Sequence, residues 1–268
     1  GGDEADREGR VLTALAVAGS GQDLGAREHS AVAIFDPQRV AAVDAVLDAV
    51  LEHGHQQIGG IECFDCLEQE GHLADQARRG RVAHEFISHY YPSVLEALSN
   101  RAIAPQIAAT NRVDVASYTE LRELGRKVIR TLGIGTSATH MEWFFGPKGL
   151  KFSEIGCRPP GVGVWDLYAA ANDFDIYREW AMAVVHGRPG QQTSRRYSAG
   201  MIALRPNREG RISGYKGLEQ VYQSYGDWII DSHMPPPGSP TGGVEGGYMA
   251  NAWIRMKHPD YDQLRRML

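Results

Sequence analysis

Apolar residues first recur at helical spacing over residues 37–52, where Val40, Val43, Val46, Leu47, Val50 and Leu51 share one face. Asp36 suits the N-cap, Pro37 the first helical position, and Gly54 stops the run. A short strand over 31–35 precedes this helix, and a glycine-rich loop over 18–26 lies earlier. The pattern then predicts a strand over 61–67, a short helix over 94–97, and a strand over 102–108 that Pro105 confines to a sheet edge. His84, His89, Tyr90 and Tyr91 read as a polar and aromatic loop cluster. Ser117 and Glu120 form a capping box ahead of a helix lined by Leu121, Leu124, Val128, Ile129 and Leu132, which Gly133 ends. Strands over 137–145 and 150–155 flank the turn residues Gly146, Pro147, Lys148 and Gly149. A helical region over 165–186 is interrupted near Asn172 and closed by Gly187. Beyond residue 195 the chain reads as β-rich, with strands over 198–205 and 251–256 and a proline loop at 235–237. Strands and helices mix without strict alternation, which makes the class α+β.

The 268 residues carry 43% hydrophobic and 23% charged side chains, ordinary for a chain with a substantial core. The net charge of -5 argues against a nucleic-acid partner, because phosphate backbones need a concentrated basic face. No apolar run is long enough for a membrane span, and the polar start reads as no secretory signal. The three cysteines, Cys63, Cys66 and Cys157, include one CxxC spacing but no second ligand pair. They fit a reducing, cytoplasmic setting.

Candidate chemistry gathers on the 137–155 hairpin. Alternation puts His140, Glu142 and Phe144 on one face, and Phe152 and Glu154 on one face of the partner strand. If Phe145 pairs with Lys151, Glu142 lies directly opposite Glu154, while Trp143 and Phe145 turn to the core. Opposed like charges are destabilising unless a cation lies between them, and magnesium takes one or two carboxylates plus phosphates and waters. Two glutamates on a solvated face would look the same. Four residues beyond Glu154, Arg158 enters a proline- and glycine-rich loop, where a guanidinium can meet a phosphate bidentately. Trp165 and Asp166, just after that loop, are further candidates for facing substrate.

The segments H-M-E-W-F at 140–144 and F-S-E-I-G-C-R-P-P-G at 152–161 resemble the metal-binding hairpin of the ATP-grasp superfamily, and most of all its amino-acid and dipeptide ligase branch. The usual pattern is H-x-E, a turn, then E-x-N-x-R. The resemblance covers residues 55–268 and is specific at 140–161. It implies an ATP-grasp fold: two α+β subdomains gripping ATP, with a partial small subdomain at 1–56, a large one at 57–190 and a C-terminal β-rich subdomain at 191–268. It implies ATP with Mg2+ (or Mn2+) as cofactors, Glu142 and Glu154 as metal ligands, and Arg158 on the γ-phosphate or an acyl-phosphate. The superfamily's asparagine ligand is Gly156 here. Near the nucleotide the resemblance offers Gln57 and Ile58 beside the base, Glu62 at the ribose hydroxyls, and Asp65 at an acidic position.

The front of the chain departs from the superfamily. No lysine precedes Lys127, Gly19, Gly21 and Gly25 are the only candidate phosphate loop, and the usual N-terminal domain of about 100 residues is expected to be missing. The resemblance implies an ATP-dependent carboxylate–amine ligase acting on small-molecule carboxylate and amine substrates such as amino acids or peptides, with a homodimer left open. Carboxylation through carboxyphosphate, or a nucleotide-binding module without turnover, are the alternatives.

Overall fold

The computed structural model of the chain describes residues 56–65 (backbone only), 82–100, 103–206, 208–241 and 252–268, all within one compact unit. The expected helix over 37–52, strand over 31–35, glycine loop and Cys66 lie outside the described residues. The strands are β1 (Gln56–Asp65), β2 (Val82–Tyr91), β3 (Gln106–Thr110), β4 (Ser137–Gly146), β5 (Gly149–Gly156), β6 (Ser198–Leu204), β7 (Ile229–His233) and β8 (Ala252–His258). They form one sheet in the order β5-β4-β1-β2-β3-β6-β8-β7, with every described pairing antiparallel. The helices are α1 (Val94–Ser99), α2 (Thr119–Leu132), α3 (Val164–Asn172), α4 (Ile176–His186), α5 (Leu218–Tyr225) and α6 (Tyr261–Met267).

Both faces of the sheet are covered, because successive strand residues point to opposite sides. On one face Ile87, Met141, Trp143 and Phe152 pack against Leu121 and Ile129 of α2. On the other, Phe86, Tyr90, Ala138 and Met201 pack against Trp165, Leu167 and Tyr168 of α3. Trp165 is 2% exposed, so it belongs to the core and does not face a substrate. Each fully buried aliphatic or aromatic side chain contributes roughly 1.5–3 kcal/mol.

Several sequence expectations change. Pro105 stands just ahead of β3, which lies inside the sheet and not at its edge; the Pro105 carbonyl accepts a hydrogen bond from the amide of Ala203. A proline outside the ladder removes no strand donor. Ser117 does not cap α2. A 3-10 turn over Ala116–Tyr118 leads into that helix, and Tyr118 makes no side-chain cap. Gly133 ends α2 with φ 65°, as expected of a left-handed C-terminal glycine. Asp173, at φ 53°, breaks the long helix into α3 and α4. His84, His89, Tyr90 and Tyr91 lie in β2 and not in a loop.

The carboxylate of Glu85, buried on β2, is held by Arg122 and Arg126 of α2, which ties the helix to the sheet. Farther along β2, His89 is closed in by Tyr118, Tyr91 and Tyr261, with its Nε2 2.8 Å from the Tyr118 hydroxyl. Burial, aided by the Arg265 charge, lowers the His89 imidazole from its ordinary value to about 4. The unfolded chain therefore binds a proton that the folded chain refuses between those two values. Stability attributable to His89 is complete above about pH 6.5 and falls as pH drops to about 4, by about 3 kcal/mol in total. Urea midpoints at pH 7 and pH 4.5 check this: the drop is expected to be smaller by most of that amount in His89→Gln than in the wild type.

Candidate nucleotide and metal site

The β4–β5 hairpin closes through a two-residue turn, with Gly146 opposite Gly149. Gly149 has φ 79°, a conformation that suits glycine. From the turn outward Phe145 pairs with Leu150, Phe144 with Lys151 and Trp143 with Phe152; the register then shifts, and Glu142 pairs with Glu154. Ser153 is the extra residue of this β-bulge. The expected opposition of Glu142 and Glu154 is therefore present, although Phe145 faces Leu150 and not Lys151.

The reason lies in the core. A regular hairpin with Phe145 opposite Lys151 would set Ser153 against Trp143 and turn Phe152 to the carboxylate side. The bulge instead brings Phe152 against Trp143, ring centroids 5.2 Å apart, with both side chains buried. Phe152 and Glu154 consequently point to opposite faces, contrary to simple alternation. Phe145 is 52% exposed and does not join the core.

Ala138, two and four residues before His140 and Glu142 on β4, packs with the α3 cluster, so both of those residues point to the α3 side of the sheet. His140 Nε2 lies 3.5 Å from Glu142 Oε1, and both side chains are largely covered, whereas Glu154 is exposed. The bulge also brings Lys151 to the carboxylate side, because its partner Phe144 lies on that face. Sequence alternation alone misses Lys151; the signal would have been the need to bury Phe152 beside Trp143.

Beyond β5 the chain turns into the loop that carries Arg158. Arg158 is exposed, and its Nη1 donates to the Pro159 carbonyl at 2.8 Å. Its side chain folds back over Gly156: a Cβ there would stand 3.4 Å from Arg158 Cγ and 3.5 Å from Nε. Gly156 thus offers no side-chain oxygen ligand and forms a floor for the arginine stem. Cys157 is a free thiol on an exposed residue, and partial desolvation raises its pKa.

Of the β1 candidates only the backbone is described. Gln57 pairs with Phe144, Ile58 with Trp143, Glu62 with His140 and Asp65 with Ser137. The first three register beside the carboxylate pair, and Asp65 lies at the far end of the strand. Pairing of β1 with β2 begins at Ile61, so the β2-side backbone of Gln57 and Ile58 lies outside that ladder among the described residues.

Could this donor set hold a magnesium ion? Among the described residues no group of three or more His, Cys, Asp or Glu gathers as a metal cluster. Two facing carboxylates are nonetheless the complement that magnesium takes when phosphates and water fill its other positions. The pair fits the ion in the presence of a nucleotide and does not form a closed protein cage.

Comparison with known proteins bears on the fold. No protein-family model matches the chain. Formate-dependent phosphoribosylglycinamide formyltransferase of Chlorobium phaeobacteroides is 31% identical over 110 residues, which are 41% of this chain and 28% of that protein. An L-amino acid ligase from Bacillus licheniformis superposes with TM-score 0.51 at 14% identity, over 80% of this chain and 52% of the ligase. Phosphoribosylglycinamide synthetase from Anaerococcus prevotii gives TM-score 0.50 at 12% identity, over 84% of this chain and 56% of the synthetase. The chain therefore has the ATP-grasp fold, in agreement with the resemblance of its hairpin. It spans about half the length of these solved structures and about a quarter of the curated relative.

Proposed function

We propose that this chain is the nucleotide-binding part of an ATP-dependent carboxylate–amine ligase. The observation that carries the proposal is the pairing of Glu142 with Glu154 on adjacent strands, followed at once by the loop of Arg158. In this reading Glu142 and Glu154 would hold a magnesium ion, which would supply charge neutralisation at the nucleotide's phosphates. Arg158 meets the terminal phosphoryl group. Its planar guanidinium meets phosphate oxygens bidentately over Gly156 when it leaves the Pro159 carbonyl. The backbone of Gln57 and Ile58 reads the base, Glu62 meets the ribose, Asp65 serves as the acidic position of the nucleotide site, and 191–268 covers the site beside the 57–190 subdomain.

In such chemistry a carboxylate oxygen attacks the γ-phosphorus, ADP leaves, and an amine then displaces phosphate from the acyl-phosphate to give an amide. The protein mainly positions the reactants and balances charge. The named relatives support a small-molecule carboxylate and amine. One is formate-dependent, and formate is itself a carboxylate; another is named for ligating an L-amino acid. Amino acids or peptides are the substrates to try first.

ADP formation across pooled carboxylates and amines, with the whole protein, tests the reading. Release that requires both an acid and an amine supports a ligase; release that requires bicarbonate points to a carboxylase; no release with any pool leaves a binding module. Arg158→Met is expected to lower the rate of ADP formation about a hundredfold and the preference for ATP over ADP about tenfold, as loss of one charge-assisted phosphate contact implies. An unchanged ATP preference would remove Arg158 from the site.

A further inference from the structure

Arg255 lies on β8, and its partner across the sheet, Met201, belongs to the α3-side core. It therefore emerges on the face that bears Glu142. It is 9% exposed. Its Nη1 stands 3.1 Å from Asp166 Oδ2, in the first turn of α3, and 3.1 Å from Asp231 Oδ2 on β7. The Trp253 ring lies 4.3 Å from its Cζ. Its Nε is buried with no hydrogen-bond partner among the described residues.

The guanidinium also lies against the loop that begins at Arg158. At Gly163, a Cβ would overlap Arg255 Nη2 and stand 3.1 Å from Cζ. Gly163 has φ 69°, and Val162 before it has φ 50°, a backbone region that β-branched residues avoid. Such conformations cost of order 1–3 kcal/mol and persist only where the surroundings impose them. The group packed against Gly163 is a buried arginine with an unpaired Nε donor, a poor device for stability, since an apolar side chain of similar volume would serve the core as well or better.

We propose that Arg255 is a positioning residue for Arg158. By fixing Gly163 directly and α3 through Asp166, it sets the course of the 158–163 loop, so that the C-terminal strands β7 and β8 determine where the phosphate-facing guanidinium stands. The proposal rests on the nucleotide reading of Arg158 and adds a residue that motif comparison does not reach.

A double-mutant cycle on the whole protein tests it, reading the ratio of ATP to ADP affinity by calorimetry with magnesium present. Arg158→Met and Arg255→Met are each expected to reduce the ratio about tenfold, and the double variant also about tenfold, because residues acting as one unit are not additive. A reduction near a hundredfold in the double variant, or an Arg255→Met variant that weakens ATP and ADP equally, overturns the proposal. If Arg255→Met does not fold, Asp166→Asn replaces it: that change cuts the link to α3 and leaves Asp231 with Arg255, and the same non-additivity is expected. A ratio unmoved by Arg158→Met fails the nucleotide reading itself, and the positioning role falls with it. A ratio that falls in Arg158→Met but not in either Arg255→Met or Asp166→Asn sinks the positioning role alone.

Discussion

Replacing both Glu142 and Glu154 with glutamine is expected to weaken MgATP binding at least about a hundredfold and to abolish ADP formation. Glutamine keeps the shape of each side chain, removes its charge and replaces one acceptor oxygen with a donor NH2. In water-exposed positions that change would be nearly silent, since single surface charges contribute on the order of 0–1 kcal/mol. Around a divalent ion it is not, because hard cations select anionic oxygen. The same substitution relieves the repulsion of two carboxylates placed directly opposite one another, so the nucleotide-free protein is expected to gain a few tenths of a kcal/mol. A variant that binds less and melts slightly higher is the signature of a site, as opposed to a structural pair. Calorimetric titration with MgATP decides the matter: unchanged affinity would sink the metal assignment.

Trp143→Ala is expected to have the opposite profile. Trp143 is 1% exposed, and it meets Phe152, Met141 and the α2 side of the core. Truncating such a residue costs about 3–5 kcal/mol, the sum of lost burial and the cavity left behind. That is a large share of the stability of an ordinary domain. Trp143→Phe should cost much less, because the indole Nε1 is buried without a hydrogen-bond partner among the described residues and phenylalanine removes that orphan donor. Urea denaturation measures both. Folded Trp143→Ala protein is expected to retain its nucleotide affinity, since the carboxylates stand on the other face of β4.

Much of the hairpin was legible in the sequence. Turn residues at 146–149 and alternating apolar positions placed two strands within a residue or so of β4 and β5, and the carboxylate spacing placed Glu142 against Glu154. Alternation alone could not show that Phe152 would leave the face of Glu154. That outcome depends on whether Trp143 packs better against Phe152 or Ser153, a tertiary preference that a periodic pattern does not contain. The expected edge strand at Pro105 fails for a related reason: one residue separates a proline that interrupts a strand from one that merely precedes it. The Ser117–Glu120 box failed because the chain makes a 3-10 turn over Ala116–Tyr118 first. Arg255 was invisible, since nothing local marks an arginine whose partners lie 89 and 24 positions earlier in the chain.

The bulge at Ser153 has one more consequence. Eleven residues separate Glu142 from Glu154, an odd number, so one residue must stand without a partner. It can widen the turn to three residues, or it can sit in β5. Both arrangements place the two glutamates opposite each other; they differ in which side chains meet Trp143, Phe144 and Phe145. The carboxylate pair is thus indifferent to a choice that the hydrophobic interior must make. The opposition of the two carboxylates and the packing of the interior are separable variables in this hairpin.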